Sequence, residues 1–205
     1  MNIMRDTNMH QHVLQAAREA FSEKGYGVSM DEIADRAGVS KQTLYNHFPG
    51  KQQLFLEVVR ESAAVLASTL TNSELNLREA LVRWGESYRQ QAFAQQGLAM
   101  HRLLVAEAPR IPELAREVFM VGPAVAHAHL VQVLSAAEMR GELSMPDVAF
   151  AADMLISMLA GFERVRRLFG VVPSDVPPSG RVEWIVDAFL SGFGWAGEYQ
   201  SERAQ

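Results

Sequence analysis

Cysteine is absent from the 205-residue sequence, which excludes disulfides, thiolate metal sites and a cysteine nucleophile. The first ten residues hold no apolar run suited to a signal peptide, and nowhere do about 18 apolar residues run unbroken. A glycine-rich phosphate loop, a His-Glu-x-x-His pair and a Gly-x-Ser-x-Gly turn are also missing. We therefore expect a soluble cytoplasmic protein that is not an enzyme and that uses no metal and no cofactor.

Positive charge is in deficit as well, because 19 Lys and Arg stand against 24 Asp and Glu and give a net charge of −5. Residues 1–60 contain seven residues of each sign, whereas residues 61–205 contain twelve basic and seventeen acidic ones. A neutral first part can still bind an anionic partner if its cations cluster, and Lys41, His47 and Lys51 fall within one short segment. The acidic remainder is expected to face away from that partner.

The most informative stretch of the chain is SMDEIADRAGVSKQTLYNHF, residues 29–48. Ser29 followed by Glu32 forms a capping box, which predicts the start of a short helix. Gly38 supplies the permissive backbone that a sharp reversal needs, and Val39 is expected to turn back into the core. The stretch therefore predicts two short helices joined by a tight turn.

The second helix of this pair has one apolar side and one polar side. Ser40 caps it, and Leu44 and Phe48 lie four residues apart on a face that must be buried. The remaining side chains, none of them aliphatic, point outward: Lys41, Gln42, Thr43, Tyr45, Asn46 and His47.

A cation, amides, a hydroxyl, a phenol and an imidazole on one face can bond phosphate oxygens and base edges, and a helix-turn-helix lays such a face in the major groove. This pattern favours DNA binding. Two other interpretations remain open at this point. The helix is an ordinary polar surface of a bundle, or the chain is a helical protein-interaction adaptor that does not bind DNA.

The string GVSKQTLYNHFPGKQQLF resembles the signature of the TetR/AcrR family of bacterial transcription regulators. The resemblance lies in the Gly-Val-Ser turn, the Leu-Tyr pair, the His-Phe end and the following Lys, and it covers roughly the first quarter of the chain. It implies that some polar residues read base edges, namely Lys41, Gln42 and Asn46. It implies that others hold phosphates, namely Ser29, Thr43, Tyr45, His47 and Lys51.

The apolar periodicity of the rest of the chain predicts an all-α fold with two domains. A three-helix helix-turn-helix DNA-binding domain is expected over residues 1–52, and a larger ligand-binding and dimerisation domain over residues 53–205. The helices are predicted over residues 8–24, 51–70, 75–96, 98–108, 112–140, 147–169 and 181–198, besides the two of the motif. Pro123 is expected to kink the longest of them. The segment RLLVAEAPRIPELAREVF resembles the C-terminal domain of AefR-like members of the family.

The last two predicted helices carry a candidate pairing surface. The final helix has an apolar stripe of Val182, Ile185, Val186, Phe189, Leu190 and Phe193. The helix before it has small residues, namely Ala151, Ala152, Ser157, Ala160 and Gly161. Packing within one chain explains both sets, whereas the resemblance implies a four-helix dimer interface. It also implies a repressor that acts as a homodimer on a pseudo-palindromic DNA operator and responds to a small-molecule inducer.

A pocket for an apolar or aromatic inducer is predicted among the middle helices. Its candidate lining is Trp84, Tyr88, Phe93, Met100, Leu103, Leu104, Phe119 and His127. The same residues are equally compatible with an ordinary core. His127 and His129 do not suggest a metal site, because residues two apart on a helix point to different sides.

Overall fold

The computed structural model describes residues 2–70, 75–171 and 179–195, with side chains from Met9 onward. Within those ranges every regular element is a helix, which confirms the predicted all-α fold class. The α-helices are α1 (Asn2–Lys24), α2 (Met30–Arg36), α3 (Lys41–His47), α4 (Lys51–Ser68), α5 (Leu77–Phe93), α6 (Gln95–Glu107), α7 (Pro112–Val121), α8 (Pro123–Met139), α9 (Val148–Leu168) and α10 (Arg181–Gly192). Residues 71–74, between the helices predicted over residues 51–70 and 75–96, lie outside the described residues.

The chain forms two compact units. The first unit comprises the residues up to Ala64 together with Phe93–Ala124, and the second comprises Val65–Ala92 and the residues from Val125 onward. The first unit is therefore larger than the DNA-binding domain predicted at residues 1–52. The reason is that α6 and α7 add side chains to the core of α1–α4, Leu114 from α7 being buried in it and Leu103 from α6 packing against it.

The first unit is built on an aromatic and aliphatic core. Phe21 and Phe55 meet edge to face with ring centroids 4.8 Å apart, and both side chains are buried. Gly25 ends α1 with a φ of +73°, a left-handed conformation that glycine adopts at little cost. Arg18 on α1 donates to Glu61 and to Ser62 on α4, which ties the first helix to the fourth at 2.6 Å and 2.9 Å.

A break, not a kink, separates α7 from α8. Gly122 leaves the helical conformation with φ −118° and ψ −92°, and Pro123 begins a new helix, so the predicted single helix over residues 112–140 was wrong. A Cβ at Gly122 would lie 2.6 Å from Val59 Cγ1, so the close approach of α4 requires glycine there. By length and composition Pro112–Met139 is apolar enough for a membrane span, but the core helices of soluble proteins meet the same criteria, and Gly122 divides this stretch into helices of 10 and 17 residues.

The second unit buries the stripe of α10 that suggested a pairing surface. Its core includes the stripe residues Val182, Ile185, Val186, Phe189 and Leu190, with Phe193 packed against them. Ala151, Ala152 and Ala160 of α9 are buried in the same chain, whereas Ser157 and Gly161 are exposed. The interpretation of this stripe as an interface was therefore wrong: α10 turns it toward α5, α8 and α9.

Helix α9 changes direction inside its span. Gly161 has φ 44° and ψ −150°, which no helix contains, and the Leu159 carbonyl accepts a hydrogen bond from Arg89 Nη1 on α5. Arg89 also pairs with Glu163 at 2.7 Å, and Arg167 and Arg181 bind the same carboxylate, each at 2.8 Å. Burial opposes ionisation, but the hydrogen bonds from the arginines outweigh it and hold the pKa of Glu163 below its usual value.

Candidate nucleic-acid interface

The predicted capping box starts α2. Ser29 Oγ accepts from the Glu32 backbone N–H at 3.2 Å, and Glu32 Oε2 accepts from the Ser29 backbone N–H at 2.9 Å. A hydrogen bond from Lys24, followed by those from Ser29, lowers the pKa of Glu32 to about 2. Ser29 itself is exposed, so its side chain lies at the surface while it caps the helix.

The turn between α2 and α3 is fixed by backbone hydrogen bonds. Gly38 has φ +62°, its N–H donates to the Asp35 carbonyl at 3.1 Å, and the Val39 N–H donates to the Ala34 carbonyl at 3.0 Å. This pair of bonds is a Schellman motif, which satisfies carbonyls at a helix end. Ser40 then caps α3, because its Oγ accepts from the Thr43 N–H at 3.1 Å.

Helix α3 buries one side and exposes the other, as its spacing predicts. Leu44 is fully buried and Phe48, the residue after the helix, is 2% exposed. The polar side chains divide into an exposed group of Lys41, Gln42, Tyr45 and Asn46 and a half-buried group of Thr43 and His47. The six outward side chains therefore form one continuous polar surface, which we call the α3 face.

Several residues of the α3 face are bonded to one another or to α2. Lys41 Nζ lies 2.5 Å from Asp31 Oδ2, and this hydrogen bond raises the pKa of Lys41. Gln42 Nε2 donates to Asn46 Oδ1 at 2.9 Å, which orders two amides one turn apart. The partnership of Lys41 with Asp31 was not predicted, since no helical period relates residues ten apart across a turn.

Aromatic rings flank the far end of the α3 face. The His10 ring from α1 lies 4.9 Å from the Phe48 ring and 6.4 Å from the His47 ring, measured between centroids. Lys51 Nζ, in the first turn of α4, lies 4.6 Å from the centroid of the Tyr26 ring. His10 therefore lies beside the His47 end of the α3 face, and Lys51 begins the next helix along the chain.

The residues predicted for a ligand pocket fall in both compact units. Trp84, Tyr88 and His127 belong to the second unit, where Trp84 is fully buried and stacks on Tyr88 at 5.3 Å. His127 Nε2 lies 3.2 Å from Asp153 Oδ1. The other predicted lining residues, Phe93, Met100, Leu103, Leu104 and Phe119, belong to the first unit.

In the first unit two of these residues do line a cavity. Leu103 and Leu104 border an apolar cavity of about 10 Å³ beside Tyr26 and Phe55, which has room for one water molecule at most. Phe119 is 56% exposed. A single pocket built from all eight residues stays a prediction.

Among the described residues no group of three or more His, Asp or Glu side chains is arranged to hold a metal ion.

Two segments of the chain match known protein families. Residues 13–58 match bacterial regulatory proteins of the tetR family, and residues 79–194 match the C-terminal domain of AefR-like transcriptional repressors. The second match covers more than half of the sequence. Both resemblances seen in the sequence are thereby confirmed.

Individual proteins give the same result. The chain is 44% identical over 77 residues to the HTH-type transcriptional activator FasR of Mycolicibacterium smegmatis. This match spans about a third of each protein, 34% of the chain and 35% of FasR. A tetR-family transcriptional regulator from Mesorhizobium loti superposes with a TM-score of 0.73 at 30% identity, over 92% of this chain and 96% of that one. The flavonoid-responsive regulator FrrA superposes with a TM-score of 0.69 at 30% identity, over 91% and 95%. The chain therefore belongs to the tetR family of bacterial transcriptional regulators.

Proposed function

We propose that this chain is a homodimeric, ligand-responsive repressor that binds a pseudo-palindromic operator. The α3 face carries the proposal. Four of its six polar side chains are exposed, while the helix buries its only leucine. A surface with amide, hydroxyl, phenol, imidazole and ammonium groups can reach base edges and phosphates from the major groove.

The contacts are divided between two tasks. Lys41, Gln42 and Asn46 read base edges, because ammonium and amide groups match the acceptors and donors of guanine and adenine. Phosphates are held by Ser29, Thr43, Tyr45, His47 and Lys51. The position of Lys51 in the first turn of α4, shortly after the end of α3, supports its role in phosphate binding.

A second copy of the chain is proposed to cover the outer side of α9 and α10. Apolar side chains of α9 and its C-cap residue recur at spacings of three and four residues and are 38% to 82% exposed, namely Phe150, Met154, Met158, Phe162, Val165 and Phe169. Trp184 of α10 is 72% exposed. We call these seven residues the apolar face. The apolar residues lie at helical spacing on each side of the break at Gly161, and exposed apolar side chains at such spacing are typical of helices that pack against a partner.

The effector is proposed to be an aromatic or apolar small molecule. The flavonoid-responsive regulator FrrA, similar over 91% of this chain, supports an aromatic class. The effector releases the operator, since a repressor must lose DNA affinity when it binds its inducer.

The protein is proposed to act in the cytoplasm as a DNA-binding regulator without catalytic activity. Regulators of this family are soluble proteins of that compartment in general, and regulation of transcription requires access to DNA. Helix α4 carries Lys51 at its start in the first unit and ends in the second, from Val65 onward. It therefore offers a direct route by which a ligand-induced tilt changes the DNA-reading surface.

Selection of bound sequences from a random double-stranded DNA library tests the proposal. We expect a pseudo-palindrome whose half-sites lie about one helical turn, or a multiple of it, apart. A variant with Lys41, Gln42 and Asn46 all changed to alanine serves as the control, and it should fold but enrich no sequence. Recovery of no sequence by the native chain favours a protein-interaction adaptor instead, and an asymmetric site bound by a monomer contradicts the dimer.

A further inference from the structure

An acidic side chain lies within the proposed DNA-binding surface. Asp31, the second residue of α2, places Oδ2 2.5 Å from Nζ of Lys41, the first residue of α3. The two side chains are 50% and 63% exposed, so the pair sits at the surface. The hydrogen bond to Asp31 is also the main reason why the pKa of Lys41 is raised.

Nearby carboxylates of α1 and α2 are engaged elsewhere. Glu32 binds Lys24 at 2.7 Å and closes the capping box, and Glu23 binds Arg36 at 2.5 Å. These pairs join α1 to α2. The Asp31–Lys41 pair differs because it joins the turn-forming helix to the helix that carries the α3 face.

A carboxylate in this position has two opposite effects on DNA binding. Its charge lies within a Debye length, about 8–10 Å, of any phosphate that approaches Lys41, and so it weakens binding to every sequence. It also restricts a flexible side chain, because Lys41 donates one of its three N–H bonds to Asp31 and keeps two for acceptors such as guanine O6 and N7.

We infer that Asp31 is a specificity-determining residue. It keeps the Lys41 ammonium group oriented toward base edges and limits its contacts with phosphates. The inference rests on the proposed function, in which Lys41 reads bases. Without Asp31, Lys41 is a mobile point charge that reaches phosphate oxygens on any sequence. Asp31 thus lowers affinity for random DNA more than it lowers affinity for the operator.

The test compares the operator selected from random DNA with a scrambled duplex of the same composition. Fluorescence anisotropy of labelled duplexes gives both dissociation constants at fixed salt. Asp31→Asn should raise affinity for the scrambled duplex by about threefold to tenfold and change operator affinity by less than about twofold. The specificity ratio should therefore fall by a factor of about three to ten.

Two matched variants separate charge from position. Asp35→Asn removes the same charge one turn further along α2, where the carboxylate acts on Lys41 only at longer range. It should raise affinity for both duplexes alike and leave their ratio unchanged. Asp31→Glu keeps the charge but shifts the carboxylate by one methylene, so the ratio should fall while affinity for the scrambled duplex stays the same.

A double variant tests whether Asp31 acts through Lys41. In a Lys41→Ala background, Asp31→Asn should lower the ratio no further. Circular dichroism melts of each variant check the fold. If Asp31→Asn does not fold, the specificity ratio of Asp31→Glu tests the inference instead.

Two results overturn the inference: an unchanged ratio in Asp31→Asn, or an equal loss of ratio in Asp35→Asn. Either result, with specific binding by the native chain, refutes the role of Asp31 and leaves the proposed function intact. Equal affinity of the native chain for both duplexes refutes both.

Discussion

Lys51 packs against the aromatic core of the first unit and is also one of the proposed phosphate-binding residues. Its ammonium lies 4.6 Å from the Tyr26 ring, and that ring meets Phe55 edge to face at 5.4 Å. Burial raises the pKa of Tyr26, and the nearby carboxylate of Glu117 adds to the effect. A cation held over an aromatic face is already ordered, so its contact with a phosphate costs less conformational entropy.

Substitution of Lys51 and of Gln42 should give different patterns. Lys51→Ala removes a phosphate contact from each subunit, so it should weaken binding to operator and random DNA alike and reduce the salt slope by about one per lost contact. Gln42→Ala removes a base contact and should cost about 1–3 kcal/mol on the operator alone. Anisotropy titrations over a range of salt concentrations measure both. Identical effects of the two changes on operator and random DNA would show that the contacts are not divided in this way.

At the scale of the element, the helix-turn-helix was predictable because its signals are local. The capping box at Ser29, the left-handed Gly38 and the spacing of Leu44 and Phe48 each lie within a few residues of what they determine. Sequence periodicity alone fixed which side of α3 is buried. The predicted end of α1 at Lys24 was correct for the same reason, since Gly25 terminates it.

Features that depend on residues far apart in the chain could not be predicted. Gly-Pro at 122–123 breaks the helix completely. The glycine is needed because Val59, more than sixty positions away in the sequence, leaves no room for a Cβ. The buried stripe of α10 and the exposed stripe of α9 are both apolar, so periodicity did not reveal which one faces the core. Only the packing of α10 against α5, α8 and α9 settles that choice.

The change of direction in α9 depends on one glycine. Gly161 has a positive φ of 44° and no atom within 4 Å of an added Cβ, so Gly161→Ala meets conformational strain rather than a steric clash. We expect a loss of about 1–3 kcal/mol in stability, measured by denaturant unfolding. Gly27→Ala is the control, because Gly27 lacks a positive φ and has equal space, and it should cost less than about 0.5 kcal/mol. Equal stability of the two variants would mean that α9 does not need its glycine.

At the scale of the whole molecule, the proposed role of the apolar face in dimer formation can be tested by substitution. Phe162 is 68% exposed, so Phe162→Glu should leave the fold of the subunit intact. A charge buried in an apolar interface should weaken the dimer by about 2–4 kcal/mol, measured by sedimentation equilibrium. Phe119→Glu on α7 makes the same change at a side chain that is 56% exposed and lies outside the apolar face. A monomeric native chain, or an equal effect of both substitutions, would contradict the proposed interface.

A dimer with one recognition helix per subunit can be switched by a small movement. Groove contacts require alignment of both recognition helices, so in the proposed dimer a tilt of α4 in each subunit would reduce the affinity for a palindrome without any contact between ligand and DNA. A coupling of about 1–3 kcal/mol, common among allosteric proteins, changes DNA affinity by roughly 5- to 150-fold. The switch therefore needs only a modest difference in how the effector fits the two states.

Reciprocity provides the test of that switch. If an effector weakens operator binding by a given factor, operator DNA must weaken effector binding by the same factor, because the two ligands shift one equilibrium between the same two states. Calorimetric titration of an effector that releases the operator, with and without saturating operator duplex, measures the second factor, and anisotropy measures the first. We expect the two factors to agree. Equal effector affinities in the two titrations would show that the ligand does not act through the DNA-binding state, and a regulator displaced by competition from another protein would then fit better.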